Sequence, residues 1–299
     1  MNLREFVDPP RQYRPSPFWS WNGVMEPSEI ESRIRDMKKK GFGGFFMHAR
    51  QGLRTKYLGD EWMRAIRRGV ETARELEMEA WLYDEDRWPS GFAGGKTTEG
   101  NDGHLARALT WTSDAASLTP EMLDRAVAYT RRLPGGGMET LAERPESLDG
   151  VGVFYERLST RGHARYSGEG YADLLDPGTV QEFIDNTYER YSKLFRYDFG
   201  RFMPGIFTDE PNVNRTRKLR PTDDQEPFSF PWTTGFAEYF EKIHGYSPIS
   251  KLHLLLNGSD DGFKFRHDYW RTVNERFIES FTAPLASWCK EHELLFTGH

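Results

Sequence analysis

Cysteine is almost missing from this 299-residue chain. The single thiol, Cys289, excludes an intrachain disulfide and a thiolate metal cluster. It sits in a helical pattern, Trp288-Cys289-Lys290, and reads as an inert, partly buried group. Long apolar runs are missing too. None approaches the ~18 residues of a membrane span, and Met1 to Phe6 lacks the apolar centre of a signal peptide. The expectation is a soluble, cytoplasmic protein with no membrane partner. Basic surplus is also lacking: the formal charge is −6 at pH 7. With no basic stripe, nucleic acid is not an expected partner. Arg67-Arg68, Arg131-Arg132 and Lys38-Lys39-Lys40 read as solvated helix faces. No G-x-G-x-x-G follows a strand, and no H-E-x-x-H, EF-hand or G-x-S-x-G pattern is found. Gly94-Gly95-Lys96-Thr97 resembles a phosphate loop only superficially, because Ser90 stands where its first glycine belongs.

What is abundant is aromatic: 14% of the residues, including 9 Trp. Trp19, Trp21, Trp88 and Trp232 sit beside Pro, Gly or charge rather than inside apolar runs. Rings at loops suit carbohydrate, since sugar C–H faces stack on them while hydroxyls seek carboxylates and Arg. Core packing accounts for some of them.

The first ~95 residues read strand-helix-strand-helix-strand. Phe18 to Trp21 is a strand closed by Asn22-Gly23. A helix follows, with Pro27 in its first turn, Ile30, Ile34 and Met37 as its buried stripe, and Gly41 at its end. Gly43 to Met47 is a second strand, running into His48-Ala49-Arg50. A helix over about 60–76 leads to the third, Glu79 to Tyr83. Residues 101–170 lose this rhythm and read as a β-rich insertion. From Asp176-Pro177 it returns, with a helix through Val180, Ile184, Thr187 and Tyr191. A fourth strand, Pro204 to Thr208, runs into Asp209-Glu210. A polar loop is expected from Asn214 to Pro231, helices at about 234–244 and 264–293, and a fifth strand from Leu294 to His299. Strands alternating with helices argue a parallel sheet, and polar residues at the strand ends argue a (β/α)8 TIM-like barrel. With about five strands covered, the barrel is expected to be incomplete, the sequence being a fragment. The corresponding segments are 1–100, 101–170 and 171–299.

Two stretches carry chemistry. Tyr83 to Gly95 passes from a buried run into Asp84-Glu85-Asp86, then Arg87 and Trp88. A solvated acidic turn explains the acids but not Trp88. The three acids also offer oxygen ligands to a hard cation such as Ca²⁺. Thr208-Asp209-Glu210-Pro211 delivers adjacent carboxylates that point in different directions along an extended chain. One carboxyl kept protonated beside one kept ionised is what glycosidic cleavage needs. A structural Asp turn with an exposed Glu is the plainer reading. His48 and Arg50 offer contacts to hydroxyls or a carboxylate, Asn22 similarly, and His299 would stand on the rim of the fifth strand.

Taken in order, Pro17-Phe18-Trp19-Ser20-Trp21-Asn22-Gly23, Gly43 to Arg50, Tyr83 to Gly95 and Phe207-Thr208-Asp209-Glu210-Pro211 resemble the successive signatures of glycoside hydrolase family 106, the α-L-rhamnosidase-like enzymes. The resemblance implies a (β/α)8 catalytic domain and inverting hydrolysis of a terminal L-rhamnose-like sugar, with Ca²⁺ close by. Glu210 would be the general acid. Asp84, Asp86, Arg87, His48, Arg50, Asn22 and Asp209 would line the sugar site, with Trp19, Trp21 and Trp88 shaping it. The metal ligands are unassigned. The general base would come from a later strand, for which the sequence offers no obvious residue. A non-catalytic carbohydrate-binding fragment lacking that base is the rival reading, and a metal-dependent hydrolase of another bond is a weaker third.

Overall fold

Strand–helix alternation builds one sheet, and the irregular middle of the chain builds a second. The computed structural model describes residues 3–213, 228–256, 258 and 260–299. A short helix α1 (Leu3–Val7) precedes β1 (Phe18–Gly23), α2 (Pro27–Lys39), β2 (Gly44–Leu53), α3 (Asp60–Glu75) and β3 (Glu79–Tyr83). Next come β4 (Arg107–Thr112), α4 (Pro120–Asp124), β5 (Ala126–Arg132), β6 (Met138–Leu141) and β7 (Val151–Leu158). The chain continues through α5 (Pro177–Asn186), α6 (Tyr188–Phe195) and β8 (Gly205–Thr208). It then runs through β9 (Phe228–Trp232), α7 (Phe236–His244), α8 (Phe263–Phe277), α9 (Ala283–Glu291) and β10 (Leu295–Gly298).

The expected (β/α)8 barrel does not form. One sheet is parallel and five-stranded, in the order β1-β2-β3-β8-β10. Its edges, β1 and β10, do not pair, so it stays open. Closure needs enough tilted, staggered strands to bring the edges together, about eight in a TIM barrel. Here β4 to β7 do not extend the parallel sheet. They join β9 in a separate antiparallel sheet, in the order β6-β5-β7-β4-β9. The loop expected from Asn214 to Pro231 is corrected at its end, while its residues 214–227 lie outside the described residues. Phe228–Trp232 is a strand along β4, with Phe228, Phe230 and Trp232 buried. Its alternation is short and has Pro231 inside it, which disguised it.

Two helices break where single ones were expected. Asp176 caps α5 through Oδ2, which accepts from the Thr179 amide at 2.7 Å, and the helix is interrupted at Thr187 (φ −112°, ψ −69°) before α6. Val180, Ile184, Thr187 and Tyr191 are nonetheless all buried. Between α8 and α9 lies a π-type turn, Ile278–Thr282. Pro284 has no N–H for the Ser280 carbonyl, and a wider turn relieves that defect. Helices α2 and α3 cover one face of the parallel sheet with Ile30, Ile34, Trp62, Ile66, Val70 and Ala73.

Asp173 is buried beside the end of β9. Its carboxylate accepts from Thr233 Oγ1 at 2.7 Å and the Leu175 amide at 3.1 Å. Burial pushes its pKa up to about 7. Between about pH 4, where a free Asp ionises, and about pH 7, the folded protein therefore holds a proton that the unfolded chain has released. This group's contribution to stability falls across that window as pH rises. Asp173→Asn can keep both contacts, with its amide donating to Thr233. It is expected to match wild type at pH 4 and exceed it by on the order of 2–4 kcal/mol at pH 8. Urea unfolding at the two pH values checks this. An equal gain at both would separate the effect from ionisation.

Candidate active site

Side chains alternate along each parallel strand, so one sheet face meets the helices and the other stays open. On β1, Trp19 and Trp21 turn to the helices. Trp21 is 1% exposed and packs on Trp62 at 5.2 Å. Phe18 and Ser20 turn to the open face. There, Phe18 stacks on Phe46 at 4.7 Å, Phe46 on Trp81 at 5.1 Å, and Phe18 meets Phe207 edge-on at 4.8 Å. Gly205 makes room for this layer, because a Cβ there would lie 2.7 Å from the Trp81 ring. At the strands' C-terminal ends the aromatic floor gives way to polar groups. A cleft of about 510 Å³ is lined by Phe18, Ser20, His48, Arg50, Trp88, Asp209, Glu210 and His299.

The loop after β3 forms the cleft's wall, and Glu85 holds it together. That side chain is fully buried. Oε2 accepts from the amides of Gly91, Phe92 and Ala93, and Oε1 from those of Asp86 and Gly94, at 2.6–3.1 Å. Burial pushes this carboxyl's pKa up, and the amides oppose the shift by favouring the charged form. Gly91 adopts φ 121°, open only to glycine, and a Cβ there would meet Leu174 at 2.6 Å.

Ser90 ties this wall to the loop after β8. Its Oγ donates to Asp84 Oδ1 at 2.5 Å and accepts from the Asp209 amide at 2.8 Å. Its own amide donates to the Asp209 carbonyl at 2.8 Å. Ser90→Ala leaves a buried amide and a buried carboxylate oxygen each short of a partner. It is expected to cost about 1–3 kcal/mol. Urea midpoints check this, and an unchanged value would count against the tie.

Asp209 and Glu210 follow β8. Asp209 is buried and accepts from the Tyr83 hydroxyl at 2.7 Å. Burial, then the bond to Asp209, pushes the Tyr83 pKa up, so it stays a donor. Glu210 is exposed and has φ 42°, a left-handed conformation that costs a non-glycine residue about 1–3 kcal/mol. Its amide donates to the His299 carbonyl at 3.0 Å, and its Oε2 accepts from Trp88 Nε1 at 2.5 Å. The carboxylate is therefore held over the cleft in a strained pose. Beside it, His48 is 5% exposed and its Nδ1 has no hydrogen-bond partner. Burial, then the charge of Arg50, lowers its pKa to about 4, so the imidazole is neutral at pH 7.

Of the residues singled out in sequence, His48, Arg50, Trp88, Asp209 and Glu210 converge on this cleft. Trp19, Trp21 and Asn22 instead line a groove along the β1 edge and α2. Asp84 lies beneath the cleft, fully buried, bonded to Ser90 and, at 2.8 Å, to the Tyr188 hydroxyl. Burial raises its pKa to about 7. Asp86 is held by Arg87 at 2.8 Å and Ser167 at 3.2 Å. The acids of this loop are thus spent on protein donors rather than gathered around an ion. One oxygen each of Asp209 and Glu210 and a ring nitrogen of His299 lie within 4.8 Å of one another. Calcium takes six to eight oxygens, of which this second set supplies two carboxylate oxygens beside a nitrogen. Sequence reading missed Ser90 and Tyr83 as site residues. Both lay inside the motif, and an inward-facing Tyr at a strand end beside a Pro-Ser-Gly turn was the available signal.

No family model matches the chain, and no curated protein matches it. Among solved structures the chain is similar to the rhamnosidase from Novosphingobium sp. PP1Y, with a TM-score of 0.60 and 14% identity over 99% of this chain and 46% of that one. At that identity the likeness concerns the fold, which is that of somewhat under half the rhamnosidase. No helix among the described residues is long and apolar enough to cross a membrane.

Proposed function

We propose that this protein belongs with the family 106 glycoside hydrolases and acts on a terminal L-rhamnose-like sugar, with Glu210 as proton donor to the glycosidic oxygen. The observation that carries the reading is Glu210 itself: an exposed carboxyl in a strained backbone, held by Trp88 above an aromatic floor. A 6-deoxy sugar suits that floor, its methyl group lying on Phe18 and its hydroxyls meeting His48, Arg50 and Asp209. Glu210 protonates the departing oxygen, and the Trp88 N–H and the Ser90 tie hold its carboxyl in line. The fold likeness to a rhamnosidase agrees with this.

Asp209 is not assigned as the water-activating partner. Its oxygen and that of Glu210 come within 4.8 Å, whereas an inverting pair stands ~6.5–9.5 Å apart. Among the described residues lining the cleft there is no other carboxylate. That observation favours, as a second reading, a sugar-binding site without turnover. Calorimetry with L-rhamnose, run beside hydrolysis assays on α-L-rhamnosides, decides between them. Binding with turnover supports the enzyme, binding alone supports the second reading, and neither would sink both.

A further inference from the structure

A second cleft, of about 550 Å³, lies behind Trp88 and is lined by Arg50, Gln51, Arg87, Trp88, His163, Ala164 and Arg165. It shares Arg50 and Trp88 with the Glu210 cleft. Among the described residues no carboxylate lines it, although the chain as a whole carries −6. Three guanidinium groups face it, and only one is neutralised: Arg87 is paired with Asp86 at 2.8 Å. Arg165 lies over the Trp88 ring, 3.9 Å from its centroid. Among the described residues, Arg50 hydrogen-bonds through its side chain to the His48 Nε2, at 3.5 Å. Among the described residues, neither Arg50 nor Arg165 has an ion-pair partner. Unpaired arginines gathered in a concavity repel one another, and the arrangement is relieved by an anion that accepts from both forks. Stacking on Trp88 holds the Arg165 plane still, so little side-chain freedom is lost when an anion arrives.

Position gives the anion its meaning. Trp88 is the wall between the two clefts, and its N–H holds Glu210. A general acid stands on the side of the leaving group, because it protonates the departing oxygen. The cleft beyond Trp88 is then where the leaving portion extends. We propose that this second cleft is the leaving-group subsite and that Arg50 and Arg165 bind an anionic substituent on the sugar residue there. The inference rests on Glu210 being the proton donor. A uronic acid carboxylate and a sugar sulfate ester supply the same chemistry.

The test is calorimetry on the protein with three probes: methyl β-D-glucuronide, glucose 6-sulfate and neutral methyl β-D-glucoside. At least one anionic probe is expected to bind about tenfold or more tightly than the neutral one, as for charge-assisted hydrogen bonds. The preference should shrink with added salt. Which anion wins identifies the source. Arg165→Ala is expected to erase most of the preference, and Arg50→Ala, at an exposed position, provides a second variant should the first fold poorly. Equal binding of all three probes overturns the proposal, as does a preference that survives in both variants. The outcome is separable from the catalytic reading. Rhamnoside hydrolysis without anion preference sinks only the subsite, whereas anion preference without hydrolysis overturns the leaving-group assignment together with the enzyme and leaves a plain anion-binding cleft.

Discussion

Glu210→Gln is expected to lower kcat on methyl α-L-rhamnoside by about 10²–10⁴-fold, the range a positioned general acid supplies. The substitution is nearly isosteric, and the new amide oxygen can still accept from Trp88 Nε1, so the strained loop keeps its geometry. A lost proton donor has a signature that a merely disturbed cleft lacks. A methoxide leaving group needs its proton in the transition state, whereas 4-nitrophenolate departs almost unaided. The loss should accordingly be large for the methyl glycoside and small for 4-nitrophenyl α-L-rhamnoside. L-rhamnose affinity and the urea midpoint are expected to stay near those of wild type. Equal losses on both substrates would point to misplaced sugar instead, and undiminished hydrolysis of the methyl glycoside would remove Glu210 from the mechanism.

The order of strands and helices around the parallel sheet was readable because each element announces itself locally. Pro27 and Asp176 mark helix starts, Ile30 and Ile34 fall at helical spacing, and Glu79 to Tyr83 is a compact apolar run. What local pattern does not encode is partnership. Nothing within Arg107 to Thr112 says that it will pair antiparallel with β7 and β9 rather than extend the parallel sheet. The expected barrel failed at that point. The same limit applies to the site. Convergence of His48, Arg50, Trp88, Asp209 and Glu210 follows from parallel strands ending together, which alternation predicts. The direction each side chain takes depends on one-residue register. Trp19 and Trp21 fall on the helix side for that reason, and Phe18 and Ser20 hold the open face. The three acids after Tyr83 illustrate a further limit. The resemblance put Asp84 among the residues lining the sugar, yet Asp84 and Glu85 are completely buried, since the loop supplies enough donors to take them inside.

Glu85→Ala is the substitution expected to damage the fold most. Five amides converge on this one carboxylate, and all belong to a single stretch, Asp86 to Gly94. Each buried donor left without a partner costs about 1–3 kcal/mol. Five together rival the 5–15 kcal/mol that holds a typical domain folded. Water entering the vacated space would satisfy some of them, so the expected loss is at least about 4 kcal/mol rather than the full sum. Glu85→Gln separates charge from shape. Its oxygen can serve the three amides of Gly91, Phe92 and Ala93, but its NH₂ then faces the two of Asp86 and Gly94, donor against donor. About 2–4 kcal/mol should go while the volume is kept. Both variants should lower the urea midpoint. Hydrogen exchange should localise the Gln defect, with the amides of residues 86–94 losing protection before those of β3. The loop carries Trp88, so Glu210 loses its holding bond as the wall loosens, and turnover should fall in step with protection. A Gln variant with a wild-type midpoint would mean that the amides do not depend on the charge, and Glu85 would then be a spacer inside the loop instead of its anchor.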